Sequence, residues 1–118
     1  MNFKREKIVQ YYQQIQVETA SRKKQILMLH DRLYTLVRDA IFLQTGAQRD
    51  RLNKAQNIIA QLQTALKLDP EDEVSHSLFL LYDYIYAQLE TSDVLKYRAA
   101  IRVIQVIRDT FEEQYKRP

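Results

Sequence analysis

Apolar residues recur at intervals of three and four along most of the chain, and that spacing predicts amphipathic helices. Ile26, Leu29, Leu33, Leu36 or Val37, Ala40 and Leu43 keep it from about Ser21 to Gln44. Leu52, Ala55, Ile59, Leu62 and Leu66 keep it from about Gln48 to Leu68, with Ile58 and Ala65 widening the stripe. Tyr97, Ala100, Ile104, Ile107, Phe111 and Tyr115 keep it over 94–116, with Ile101 and Val103 alongside. A shorter run, Ile8, Tyr11, Tyr12 and Ile15, gives an N-terminal segment with the same anchor spacing, followed by an extended link through Val17.

The remaining helix, about Pro70 to Glu90, is patterned differently. In Leu78–Leu89, nine of twelve residues are large and apolar or aromatic, so more than one side of this helix needs cover. Leu78, Leu81, Ile85 and Leu89 make one face; Phe79, Tyr82 and Tyr86 make a second; Leu80 and Tyr84 point elsewhere. The Leu81 face is expected to hold the fold together and the Tyr82–Tyr86 face to meet a partner or a covering segment.

Breaks in the pattern separate these elements. Gly46 is the one glycine and is placed to end the first long helix as a left-handed C′ residue. Asp69 can cap the third helix, with Pro70 at its first position. Thr91-Ser92-Asp93 ends that helix and caps the fourth, and Thr19 or Ser21 is suited to cap the first. Four helices of about twenty residues with short connections pack as neighbours. The expected fold is all-α: an antiparallel up-and-down four-helix bundle with a short N-terminal helical segment. Residues 1–118 form one domain, divided into the segment (1–20) and the bundle (21–116).

Composition supports this and removes several functions. One glycine and two prolines in 118 residues leave few hairpin turns. The absence of cysteine removes disulfides, thiolate metal sites and a cysteine nucleophile. The apolar runs are too short and too often broken by charge to span a membrane, and the basic start lacks the apolar core of a signal peptide. A mature, soluble, cytoplasmic chain is expected. A net charge of +3, from 18 basic and 15 acidic residues, describes a mixed surface rather than a nucleic-acid polycation. Lys4-Arg5-Lys7 and Arg22-Lys23-Lys24 are short basic groups balanced by Glu6 and Glu18, and no recognition-helix layout accompanies them.

Two constellations touch on chemistry. Glu73-x-x-His76 has the spacing used in carboxylate di-metal bundles, but such a site needs a second copy and two further inward glutamates. His76 is expected to be exposed near the start of its helix, and no metal or cofactor is expected. His30 beside Asp31 suggests acid–base work, yet adjacent helical residues diverge by about 100° and cannot orient one another. His30 is expected on the flank of its helix, and the chain is read as a non-enzyme.

Four blocks then resemble the flagellar export chaperone FliS family, in family order. They are Tyr12-Gln13-Gln14 to Ser21 with Ile26-Leu27-Met28-Leu29, Lys54-Ala55-Gln56-Asn57-Ile58-Ile59 with Leu62, Leu81-Tyr82-Asp83-Tyr84-Ile85-Tyr86 with Leu89, and Arg108-Asp109-Thr110-Phe111. The chain departs from the family pattern at Arg22, where proline is usual, and at His30-Asp31-Arg32, where Tyr-Asp-Gly is usual. It departs again at Ala87-Gln88, where an arginine pair is usual. The resemblance implies a helical bundle that binds the disordered C-terminal segment of flagellin, prevents premature polymerisation and aids type III export. It implies flagellin and the export apparatus as partners.

Combined with the apolar pattern, it makes Ile58, Leu62, Tyr82, Ile85, Tyr86, Leu89, Ile107 and Phe111 the expected partner-binding residues. Ile8, Tyr11, Tyr12, Ile15 and Val17 are the expected N-terminal lid. The alternative is a structural helical module whose extra apolar surface is a homodimer interface, with no flagellin involved.

Overall fold

The computed structural model describes residues 20–66 and 73–116, and these form four helices: α1 Ala20–Ile41, α2 Thr45–Ala65, α3 Glu73–Leu89 and α4 Val94–Lys116. Helix α1 packs beside α2 and α4, and α3 packs beside α2 and α4, so α1 and α3 face each other across the diagonal of a square bundle. The N-terminal lid residues, the Thr19 cap, Asp69, Pro70 and the Lys4-Arg5-Lys7 group lie outside the described residues, as does the side chain of Phe111.

One apolar core runs the length of the bundle. Helix α1 contributes Ile26, Leu33, Leu36, Val37 and Ala40, and α2 contributes Leu52, Ala55, Ile58, Ile59 and Leu62. Helix α3 contributes Leu78, Tyr82, Ile85 and Leu89, and α4 contributes Tyr97, Ala100, Ile104 and Ile107. These are the stripes that the three–four spacing marks, with changes at their edges.

The first connection differs from expectation. Helix α1 stops at Ile41, three residues before Gln44, and α2 starts at Thr45, three before Gln48. The end of α1 tightens through Phe42 N–H to Asp39 O (3.1 Å) and Leu43 N–H to Ala40 O (3.3 Å). The Gln48 side-chain amide then donates to Ala40 O at 2.9 Å, satisfying a carbonyl left open by the helix end. Gln44 enters α2 from an extended conformation (φ −89°, ψ 163°), so no left-handed residue is required. Gly46 accordingly lies in the first turn of α2 without a positive φ, correcting its expected role as a C′ residue.

The third connection behaves as its sequence predicts and is strongly tied down. Asp93 Oδ1 accepts from Leu95 N–H at 2.9 Å, the N-cap of α4. Arg49, from α2, donates to Leu89 O and Thr91 O at 2.8 Å each, placing a cation on the C-terminal carbonyls of α3. The Tyr97 hydroxyl donates to the same Thr91 carbonyl.

Arg49 also begins a ladder. Seven residues on, Gln56 donates to Glu90 Oε1 (3.0 Å) and Tyr86 O (3.3 Å). Seven further, Gln63 donates to Asp83 Oδ1 (2.8 Å) and Phe79 O (3.3 Å). From Gln56 to Gln63 the donor advances by seven along α2 while its partners retreat by seven, from Tyr86 and Glu90 to Phe79 and Asp83, which shows that these helices run antiparallel and sets their register.

Candidate functional site

The distinguishing chemistry of the described residues lies in the centre of the bundle and along the four seams between helices. At the centre is His30, which is fully buried rather than on a helix flank as expected. It lies four residues from Ile26, three from Leu33 and seven from Val37, so it belongs to the α1 stripe. Its Nδ1 is 2.8 Å from Ile26 O, and because a carbonyl can only accept, Nδ1 carries the proton. Nε2 is therefore the acceptor in the 2.9 Å contact with the Tyr82 hydroxyl, which donates across the diagonal of the bundle from α3. Burial lowers the His30 pKa from 6.5 to about 4, and the Ile26 carbonyl opposes that only in part. The ring is neutral at physiological pH and acts as a polar pin.

The same contact corrects the face assignment on α3. Tyr82 lies four residues from Leu78 and seven from Leu89, so it points inward with them and is fully buried, while Leu81 is only half-buried. Among the expected partner-binding residues, Ile58, Leu62, Tyr82, Ile85, Leu89 and Ile107 are all core residues in this structure. Tyr86, with 37% of its surface accessible, is exposed. The apolar stripe that the spacing marked is the one the bundle itself consumes. His76 is exposed, as expected. Among the described residues no group of three or more His, Cys, Asp or Glu could hold a metal ion.

Two seams are closed by polar bonds. The α2–α3 seam carries the Arg49–Gln56–Gln63 ladder. On the α1–α4 seam, the Arg108 guanidinium lies over the Tyr34 ring at 4.6 Å, 3.6 Å from Asp31 and 3.1 Å from Asp109. A stacked, paired arginine ties α4 to α1.

The other two seams present apolar surface. Between α1 and α2 an open groove of about 710 Å³ is lined by Gln25, Met28, Leu29, Asp31, Arg32, Thr35 and Gln61. Met28 and Leu29 supply its apolar floor, and Gln25, Arg32, Thr35 and Gln61 supply hydrogen-bonding rims. On α3 the flank toward α2 is identified by Asp83 and Glu90, so Leu81 and Tyr84 lie toward α4. On α4 the flank toward α1 is identified by Arg108, so Val103 and Val106 lie toward α3. Leu80 (58% accessible), Tyr84 and Val106 (55%) leave that seam's outer face apolar.

None of these lining residues is among the expected partner-binding residues. The available signal was that Met28, Leu80 and Val106 are apolar yet lie off their helices' core stripes. The blocks that carried the resemblance divide between two roles: Met28, Leu29 and Tyr84 lie on the apolar seams, and others tie the bundle together. Gln56, Tyr82, Asp83 and Arg108 bond one helix to another or to the connection after it.

Geometry of this kind defines a class: a small four-helix bundle tied by polar bonds on two seams and exposing apolar surface along the other two. The chain matches the family described as "Flagellar protein FliS" over residues 5–118, and it belongs to that family. It is 30% identical over 116 residues to the flagellar secretion chaperone FliS of Escherichia coli strain K12, covering 91% of this chain and 85% of that one. No solved structure matches it.

Proposed function

We propose that this protein is a flagellar export chaperone acting in the cytoplasm, which binds the disordered C-terminal segment of flagellin on its exposed apolar seams and involves no catalysis or cofactor. The observation that carries the reading is the family match across nearly the whole chain. It is supported by an apolar groove between α1 and α2 that the bundle's own core leaves open. A groove between helices takes an amphipathic helix by residues at i, i+3, i+4 and i+7, and a disordered segment can form that helix as it binds. Here the Met28–Leu29 floor meets the apolar face of the client helix, and Gln25, Arg32 and Gln61 bond its polar edge. Tyr86 and the half-buried Phe79 extend the apolar surface on α3.

In this reading, Ile8, Tyr11, Tyr12, Ile15 and Val17 form a displaceable cover with the same anchor spacing as the client. Core residues such as Ile58 and Leu62 support the groove from beneath. In the same reading the chaperone hands its client, kept monomeric, to the type III export apparatus.

The reading is tested by polymerisation of purified flagellin monomer seeded with filament fragments and followed by light scattering. Stoichiometric addition of the protein is expected to suppress growth, and a Met28→Glu/Leu29→Glu variant that keeps its helical circular dichroism is expected to suppress it far less. Unchanged growth with the wild-type protein would overturn the reading.

A further inference from the structure

Two charged residues line the groove between α1 and α2, Asp31 and Arg32, and they differ in what already holds them. The Asp31 carboxylate lies 3.6 Å from the Arg108 guanidinium, which draws it to the α4 side of its helix. Arg32 is exposed and makes no ion pair or hydrogen bond among the described residues. The opposite wall does not neutralise it, because α2 carries no charged residue from Ala55 to Ala65 and contributes the neutral Gln61 to the lining. Lys24 is also exposed and without an ion pair among the described residues. It precedes Met28 by four residues, and Arg32 follows Met28 by four. Met28, 58% accessible, therefore sits between two positive charges on one stripe of α1.

We propose that Arg32 makes this groove selective for helical segments carrying a carboxylate one turn from the apolar residue seated on Met28 and Leu29, a selectivity that rests on the groove being the flagellin site. Arg32 is four residues from Met28 and three from Leu29, so it stands about one turn along the groove from the apolar floor. A client helix lying along the groove has the same rise per turn. A side chain three or four residues from its apolar anchor is thereby brought to the level of Arg32. A carboxylate at that level meets the guanidinium fork in a charge-assisted pair, while the aliphatic stem of the arginine continues the apolar surface. A lysine at that level meets a cation, with no acidic side chain on the α2 wall to offset it. Gln25, Thr35 and Gln61 can each donate and accept, so they bond a polar edge of either sign and do not discriminate.

The test is fluorescence anisotropy of the full chain with labelled synthetic peptides of the flagellin C-terminal segment. The peptides carry either Glu or Lys at each polar position three or four residues from an apolar one. At one such position or more, the wild type is expected to bind the Glu peptide about tenfold tighter than the Lys peptide at low salt, and the ratio is expected to shrink as salt is raised. Arg32→Glu is expected to reverse the preference at those positions and leave the others unchanged. Misfolding removes binding but does not reverse a preference, so the reversal reports on charge.

Glu peptides that bind no tighter than Lys peptides at any position, or a preference that Arg32→Glu leaves in place, would overturn the proposal. Binding of the peptides by the wild type in that case leaves the chaperone reading standing. A preference reversed by Arg98→Glu on α4 but not by Arg32→Glu places the charged edge of the client on the other apolar seam and rejects the proposal. If the wild type binds none of the peptides, the chaperone reading itself falls, and the selectivity falls with it.

Discussion

Replacing Ile85 with alanine is expected to cost about 2–5 kcal/mol of folding stability, while replacing Tyr84, its immediate neighbour, is expected to cost within about 0.5 kcal/mol. Ile85 is fully buried among Leu78, Tyr82 and Leu89, so truncation removes buried methyl and methylene groups and leaves a cavity that a packed bundle closes only in part. Tyr84 is exposed, so its truncation changes mainly surface that water already reaches. The comparison tests the division of α3 into a core side and an outer side, using two adjacent residues in the same helix. Urea denaturation followed by circular dichroism measures both, and equal slopes for the two variants keep the comparison valid. Equal costs at the two positions would contradict the division.

Acidification from pH 6.5 to about 4 is expected to remove about 3 kcal/mol of stability through His30 alone. The folded-state pKa is depressed, from 6.5 to about 4, because burial disfavours the charged ring. Above pH 6.5 the ring is neutral in both states and the full stability is present. Between the two values the unfolded chain takes up a proton that the folded chain refuses, so stability falls as pH falls. Below about 4 both states are protonated and the loss is complete.

Carboxylates titrate in part of the same window, so the measurement is the difference between the wild-type and His30→Leu profiles. The variant loses the bond to the Tyr82 hydroxyl and is expected to be less stable at neutral pH, but it lacks this component of the acid slope. Parallel profiles would show that His30 does not carry the effect.

The sequence made the helices legible and left much of the surface illegible, for physical reasons that differ by residue. Leu33, Val37, Leu52, Ile59 and Ile104 reveal themselves because core burial repeats with the helical period. Asp93 reveals itself because a cap is a local bond. Gly46 misleads because glycine permits a left-handed turn without requiring one, and the chain reaches α2 through an extended Gln44 instead. His30 misleads because a polar residue on an apolar stripe reads as a flank unless its partner is known, and that partner, Tyr82, is on the helix across the diagonal. The Gln56 and Gln63 ladder is unreadable for the same reason: glutamine is ordinary on a helix until the register of the neighbouring helix is fixed.

The candidate surface was harder to read than the core. The aromatic-rich stretch of α3 announces an excess of apolar faces, but spacing alone does not say which face the bundle consumes. Tyr82 illustrates this. The spacing groups it with Tyr86, yet it shares the core side with Leu78 and Leu89, and of the two only Tyr86 is exposed. Met28 and Leu80 are single apolar residues off the main stripe, which is also how an unremarkable surface residue looks. Their association with a groove or a seam depends on the placement of the adjacent helix.

The proposed binding of flagellin's C-terminal segment on the exposed apolar seams of this bundle is open to direct test. Titration calorimetry against a synthetic peptide of that segment, at two temperatures and two salt concentrations, addresses it most directly. Saturable binding with a negative heat-capacity change and modest salt sensitivity is the result expected of a segment that folds onto apolar surface. Absence of binding, or binding with no heat-capacity change and a steep salt dependence, would contradict it.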